Sequence, residues 1–215
     1  MYAQRGDAVW ANLYMASTAD VKLDNGRTVN ISQETRYPWD GGVKMTVNPD
    51  QRAALTVNVR IPGWAREEPV PSDLYRYADK ASGIVVLKVN GKAVPVKLEK
   101  GCVSIHRDWK RGDVIELNLP MPVRRVVAND LVAADRGRVA LQRGPIVYAA
   151  EWPDNPDGRV RNLVLPSTEH LTAEFKPALL NGVTVVKSKA VAPQMRRVPL
   201  EVPSFHAASA DEFVD

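Results

Sequence analysis

Apolar and polar residues alternate with a period of two along several short stretches of this chain. In Leu55-Thr56-Val57-Asn58-Val59-Arg60-Ile61, four apolar residues interleave with three polar ones. Successive side chains of a strand point to opposite faces, so all four apolar ones share a face. Val43-Lys44-Met45-Thr46-Val47 and Ile115-Glu116-Leu117-Asn118-Leu119 obey the same rule. Asn48-Pro49-Asp50 follows the first of these, and Pro and Asx residues favour turns. The stretches at 43–47 and 55–61 are therefore expected to form an antiparallel hairpin or to lie as near neighbours.

Other stretches extend the pattern. Asp7 to Tyr14, Val21 to Leu23 and Arg27 to Thr35 form an opening group, with Asp24-Asn25-Gly26 as a tight turn. Ile84 to Val89 runs into Asn90-Gly91, a strong hairpin signal, and returns through Ala93 to Leu98. Cys102 to His106 precedes a turn at Trp109-Lys110-Arg111-Gly112-Asp113, and Arg138 to Gln142 and Ile146 to Ala150 flank Arg143-Gly144-Pro145. Val183 to Lys187 reads as a late strand. Glu67 to Ser82 reads as a polar surface insertion, with a short helical turn over Asp73 to Ala78. Pro153 to Arg161 is a loop by composition. The tail after Ala190 has no clear period and is expected to be poorly ordered or to rely on a partner surface.

Composition sharpens this picture. Sixteen Pro and thirteen Gly, spread between short apolar segments, signal an all-β sandwich or barrel. The 215 residues can bury a core without staples. A single Cys excludes an internal disulfide, a Cys–Cys metal cluster and a CxxC redox pair. No apolar run is long enough for a helical membrane span, and the first residues show no signal core. The net charge of +4 is mild, and basic residues mix with acidic ones, so no nucleic-acid stripe emerges.

Chemistry-bearing residues are scattered. Cys102 and His106 sit four apart, on one face of a strand, but a catalytic zinc needs three protein ligands and no third is evident. Cys102 is better read as a buried small hydrophobe. His170 and His206 stand alone. There is no Gly-x-Ser-x-Gly elbow and no Gly-rich phosphate loop. Paired carboxylates hydrolyse glycosides. Glu34 and Asp40 flank the aromatic cluster Tyr37-Pro38-Trp39, and Glu67 and Glu68 are neighbours, yet solvated surface is the simpler reading of all four. Arg124-Arg125 and Arg196-Arg197 read as rim features or salt-bridge donors. Aromatic residues carry more interest, because Tyr and Trp suit interfaces and stack on sugar rings. Trp64 and Trp109, beside turn glycines, are expected to plug the ends of the core. Trp39 is expected at a surface or interface.

A longer order of motifs is distinctive. It runs Val9-Trp10-Ala11-Asn12-Leu13-Tyr14, Gln33-Glu34-Thr35-Arg36-Tyr37-Pro38-Trp39-Asp40-Gly41 and Arg60-Ile61-Pro62-Gly63-Trp64. Val89-Asn90-Gly91-Lys92, Trp109 to Asp113, Leu119 to Arg124 and Leu141 to Tyr148 complete it. Over about residues 7–190 this resembles the C-terminal β-sandwich part of the β-L-arabinofuranosidases of glycoside hydrolase family 127. The resemblance implies a parent enzyme with an (α/α)6 barrel ahead of these sandwiches. In that family a cysteine nucleophile, a glutamate acid/base and a cysteine-held zinc belong to the barrel. Cys102 does not match the nucleophile, so no catalytic residue is carried over.

The resulting expectation is an all-β chain of two antiparallel, jelly-roll-like sandwich units. The first spans 1–127; the second, smaller and incomplete, spans 128–215 and ends in an irregular tail. The chain would be the non-catalytic part of a hydrolase of arabinose-containing glycans, packing on and supporting the absent barrel. Tyr37, Trp39 and Asp40 are the candidate contacts to barrel or sugar. No catalytic, cofactor or metal residue is expected within the chain, zinc being left to the parent's catalytic domain. The expected partners are the barrel, a carbohydrate and a second copy, with no nucleic acid and no membrane. The alternatives are a free-standing carbohydrate-binding module or, less well supported, a small hydrolase using its own carboxylates. The abrupt start and the unrecognisable closing strand suggest a fragment or truncated reading frame. Compartment stays open.

Overall fold

The computed structural model describes residues 1–80, 82–155 and 160–192. In chain order the first strands are β1 (Tyr2–Arg5), β2 (Ala8–Ala11), β3 (Ser17–Lys22), β4 (Thr28–Thr35), β5 (Gly42–Pro49) and β6 (Ala53–Arg60). Then come β7 (Tyr75–Tyr77), β8 (Val86–Val89), β9 (Lys92–Val94), β10 (Cys102–Trp109), β11 (Asp113–Asn118) and β12 (Val123–Ala128). The last four are β13 (Ala140–Arg143), β14 (Ile146–Tyr148), β15 (Thr172–Lys176) and β16 (Val183–Lys187). Among the described residues the only helical pieces are 3-10 turns at Gly63–Arg66, Ala133–Asp135 and Trp152–Asp154. The all-β reading therefore holds.

Two sheets enclose the main core. One has the order β1-β2-β6-β10, and the other β3-β4-β5-β11-β8-β9. Every pairing in them is antiparallel except that of β2 with β6. The alternating apolar residues face inward as their period requires. Leu55, Val57, Val59, Val103 and Ile105 from the first sheet join Ile31, Met45, Val47, Leu87, Ile115 and Leu117 from the second in one buried cluster. Each such side chain contributes about 1.5–3 kcal/mol on burial. Trp109 closes the cluster with no exposed surface, and its indole N–H donates to the Leu55 carbonyl at 3.1 Å. Trp64 packs half-buried against the same core.

The expected pairing of 43–47 with 55–61 does not form. β5 pairs with β4 and β11, whereas β6 pairs with β2 and β10, so the two stretches lie in opposite layers. Period two fixes which face of a strand is buried and is silent about its partner. The link after β5 crosses from one layer to the other, and so does the turn at Lys110 to Gly112. Gly112 N–H donates to Asn48 Oδ1 at 2.9 Å, tying the two crossings together.

Local turn chemistry proved a better guide. Asn90 and Gly91 both take positive φ, 50° and 76°, as a tight β8–β9 hairpin requires. The turns after Leu23 and around Gly144 also join paired strands.

The insertion departs from its reading. Tyr75–Tyr77, expected within a helical turn, forms β7 and pairs with β12, giving a third sheet of order β14-β13-β12-β7. The Tyr-Arg-Tyr alternation suits a strand, and pairing with β12 decides the matter. β15 and β16 form a separate two-stranded ribbon. Strands β1, β12 and β15 carry mixed residues that gave no clear sequence signal. The tail reading falls on residues beyond 192 and part of the 153–161 loop on 156–159, both outside the described residues.

One close approach extends the pairing of β5 with β11 one step beyond Gly42 and Asn118. Leu119 N–H donates to the Gly41 carbonyl at 3.0 Å. A β-carbon on Gly41 would lie 2.8 Å from the Leu119 carbonyl carbon and nearer still to its oxygen. Backbone cannot yield as a side chain can, so Gly41→Ala is expected to cost about 3 kcal/mol. Urea unfolding checks this, and an unchanged midpoint would contradict the reading.

Candidate functional site

Tyr37, Trp39 and Asp40 lie in the link between β4 and β5. Tyr37 is half-buried against the core and meets Tyr14 edge-to-face at 5.9 Å. The Tyr14 hydroxyl donates to the Arg60 carbonyl. Trp39 is also half-buried, and its carbonyl accepts from Arg143 Nη1 at 2.8 Å, a residue on β13. Asp40 pairs with Arg36 Nε at 2.8 Å through one oxygen and accepts the Gly42 N–H at 3.1 Å through the other. The Arg36 guanidinium stands 5.6 Å over the Phe175 ring of β15. The segment thus sits where the first two sheets meet the third sheet and the ribbon.

Next to it lies a cluster that the sequence did not reveal. Arg124 on β12 is buried, and its guanidinium takes the Glu67 carboxylate through two bonds of 2.8 Å each. Its Nε donates to Asp79 Oδ1 at 3.1 Å, and Nη2 also donates to the Asp79 carbonyl. The guanidinium carbon lies 3.6 Å over the Tyr77 ring. Tyr77 in turn donates to the buried Gln142 Oε1 at 3.2 Å. Burial opposes the charge on Arg124, but the Glu67 and Asp79 hydrogen bonds outweigh it and raise its pKa. Burial pushes the Tyr77 phenol up to about 12, with Arg124 working against the shift. Arg124 is a salt-bridge donor as its sequence suggested, though interior where the rim was expected, and Glu67 is bonded to it. The pair Arg124-Arg125 splits between faces: Arg125 Nη2 donates to the Glu169 carbonyl at 2.5 Å.

The carboxylates considered for acid–base work are each paired with a base. Glu34 meets Lys44 Nζ at 3.3 Å, and Glu68 meets Arg66 Nη2 at 2.9 Å. Cys102 is half-buried on the outward face of β10, where a buried core position had been expected, because the strand turns Val103 and Ile105 inward. Burial pushes its thiol pKa up, against the pull of Arg60 and Arg66. His106, on the same outward face, has Nδ1 at 3.0 Å from Thr56 Oγ1. No group of three or more His, Cys, Asp or Glu residues suited to a metal ion lies among the described residues. These residues therefore do not fit the cysteine-rich zinc site that the family resemblance implies. No helix among them is long and apolar enough to cross a membrane.

Comparison with known proteins agrees with the sequence motifs. The family model for β-L-arabinofuranosidase, GH127 middle domain, matches residues 8–121. The model for the glycoside hydrolase family 127 C-terminal domain matches residues 123–200. A non-reducing end β-L-arabinofuranosidase of Bifidobacterium longum subsp. longum is 35% identical over 201 residues, covering 89% of this chain and 27% of that protein. A solved family 127 β-arabinofuranosidase superposes with a TM-score of 0.84 at 41% identity, covering 89% of this chain and 30% of that one. A β-L-arabinofuranosidase from Geobacillus stearothermophilus T6 gives 0.75 at 40% identity, covering 88% and 27%. The chain thus spans less than a third of the length of each of these relatives.

Two predictions follow from the Arg124 cluster. Arg124→Met leaves two carboxylates that can rehydrate, since Glu67 and Asp79 are partly exposed. The expected loss, discounted for that exposure, is about 2 kcal/mol, with faster proteolysis within 67–80. Unaltered unfolding and cleavage would contradict the cluster's role. Alkaline stability tests Tyr77. Its phenol titrates near 10.0 when unfolded and near about 12 when folded, so stability is complete below pH 10.0 and declines as pH rises between those values. Tyr77→Phe should flatten that decline in urea midpoints measured against pH.

Proposed function

This chain belongs to glycoside hydrolase family 127, and we propose that it is the β-sandwich portion that packs on and supports that family's (α/α)6 catalytic barrel. The observation that carries this reading is coverage. The middle and C-terminal domain models together occupy residues 8–200, while the β-L-arabinofuranosidase relatives are more than three times longer. The parent would act on arabinose-containing glycans, as those relatives' names indicate. Its nucleophile, acid/base and zinc would reside in the barrel.

The surface offered to the barrel is the end of the sandwich built by the 12–16 and 36–41 links. Leu13 and Met15 are 54% and 53% exposed there, on either side of Tyr14 and its ring partner Tyr37. Exposed apolar side chains beside half-buried aromatics are what a domain interface leaves behind when its partner is absent. Trp39 and Asp40 complete that end, the Trp39 carbonyl held by Arg143 and the Asp40 carboxylate by Arg36.

The test is to mix this chain with the separately produced barrel of a family 127 relative and follow mass by sedimentation. Association at tens of micromolar, weakened by Leu13→Asp with Met15→Asp, is the expected result. Absence of any association at that concentration would sink the proposal. Overnight incubation of the chain alone with arabinose-containing oligosaccharides should give no new anomeric proton signals; turnover would place catalysis in this chain instead.

A further inference from the structure

We propose that the outer face of the six-stranded sheet carries a trough that binds a neutral oligosaccharide between alternating carboxylate and ammonium side chains. The inference needs no contact with a barrel and stands apart from the supporting role proposed above.

The strand register builds the trough. Glu34 on β4 lies opposite Lys44 on β5, Lys44 opposite Glu116 on β11, and Glu116 opposite Lys88 on β8. All four point outward, because Val43, Met45, Ile115, Leu117 and Leu87 beside them point into the core. Four strands thus present one row in which acid and base alternate at the strand spacing of about 4.8 Å. Only Glu34 and Lys44 close into an ion pair; among the described residues no hydrogen bond or ion pair joins Lys44 to Glu116 or Glu116 to Lys88. Glu116 and Lys88 therefore keep their hydrogen-bonding capacity for something above the sheet.

The next row supplies the room. Asn118 lies opposite Gly42 on one side and Val86 on the other. Gly42 has no side chain, and a β-carbon there would meet only Asp40 Oδ1, at 3.4 Å. A concavity of about 550 Å³ lies over these residues, within the range of small-ligand sites.

The chemistry selects the occupant. The row carries two acids and two bases, so neither a phosphate nor a polycation is favoured. Carboxylates accept hydrogen bonds and ammonium groups donate them, while the Asn118 amide does both. A sugar hydroxyl likewise donates and accepts, so neighbouring hydroxyls can bridge an acid and a base with charge-assisted bonds. A protein partner fits poorly, because interface centres are depleted in charged residues and the only apolar side chain lining the trough outwardly is Val86.

The experiment is a backbone-amide NMR titration of the whole chain with neutral oligosaccharides, arabinofuranosyl ones among them. Shifts at residues 42, 44, 86, 88, 116 and 118 are expected. Gly42→Leu fills the trough from an extended backbone position with open space above it, and should weaken binding at least about tenfold with the unfolding midpoint retained. Glu116→Gln, on the exposed face, should weaken it by a similar factor and serves if Gly42→Leu folds poorly. No shift at millimolar sugar, shifts confined to residues outside the trough, or binding that survives both substitutions would overturn the proposal. Because no barrel is involved, failure here leaves the association experiment above untouched.

Discussion

Arg124 is the point at which the insertion after Arg66 is tied to the third sheet. A buried guanidinium is costly unless its donors are met, and breaking one partner away leaves the rest unpaired. Here the insertion meets them. Glu67 and Asp79 supply the acceptors, and between them β7 brings the Tyr77 ring against the cation. The insertion is therefore held down at both ends and in the middle. That is why a polar, proline-containing segment becomes an edge strand. The third sheet owes its fourth strand to this arrangement, and the sheet in turn presents Gln142 to Tyr77.

Arginines also hold the junction on its other side. Arg143 reaches from β13 to the Trp39 carbonyl, Arg36 covers Phe175, and Arg125 holds the carbonyls of Pro166 and Glu169. Each contact spans elements distant in sequence and uses an arginine: Arg143 and Arg125 donate to backbone carbonyls outside their own sheet, and Arg36 places its planar cation over a ring. The Gly41–Leu119 contact adds a steric constraint, since two backbones meet there without a side chain between them. The link from β4 to β5 is thus fixed by its neighbours on three sides. Its aromatic residues are positioned by the fold as a whole.

Sequence reading succeeded where the deciding physics is local. Alternation at 55–61 and 115–119 marked which side chains face the core, and Asn90-Gly91 marked a hairpin through backbone preferences of those two residues. It failed where partners are chosen at long range. Residues 43–47 and 55–61 show equal alternation whether they pair edge to edge or face each other across a core. Tyr75–Tyr77 has too few residues to declare a strand until β12 lies beside it. Arg124 reads as a surface base because its acids lie 57 and 45 residues away. Cys102 reads as apolar filler because composition cannot say which parity of β10 faces inward. The family motifs were legible from their combined order along the chain; several of them, such as 36–41 and 61–64, include links between strands, where backbone constraints restrict the residue types allowed.

Most carboxylates of this sandwich are spent on holding the fold. Asp113 is buried, and although desolvation opposes its charge, the Lys110 N–H, the Asn90 amide and Arg107 together hold its pKa below the usual range. Asp24 pins the Gly6 and Gln4 corner, Asp40 closes its own link, and Glu67 and Asp79 grip Arg124. A carboxylate so bonded has its lone pairs engaged in folding, and glycoside hydrolysis needs two that face a reacting bond across a few ångströms. Glu116 differs. It stands outward on a central strand with an unbonded ammonium group opposite, and the sheet beneath it is braced by the core. Such a group is free to bond to a hydroxylated chain, and that is the property on which the proposed trough rests.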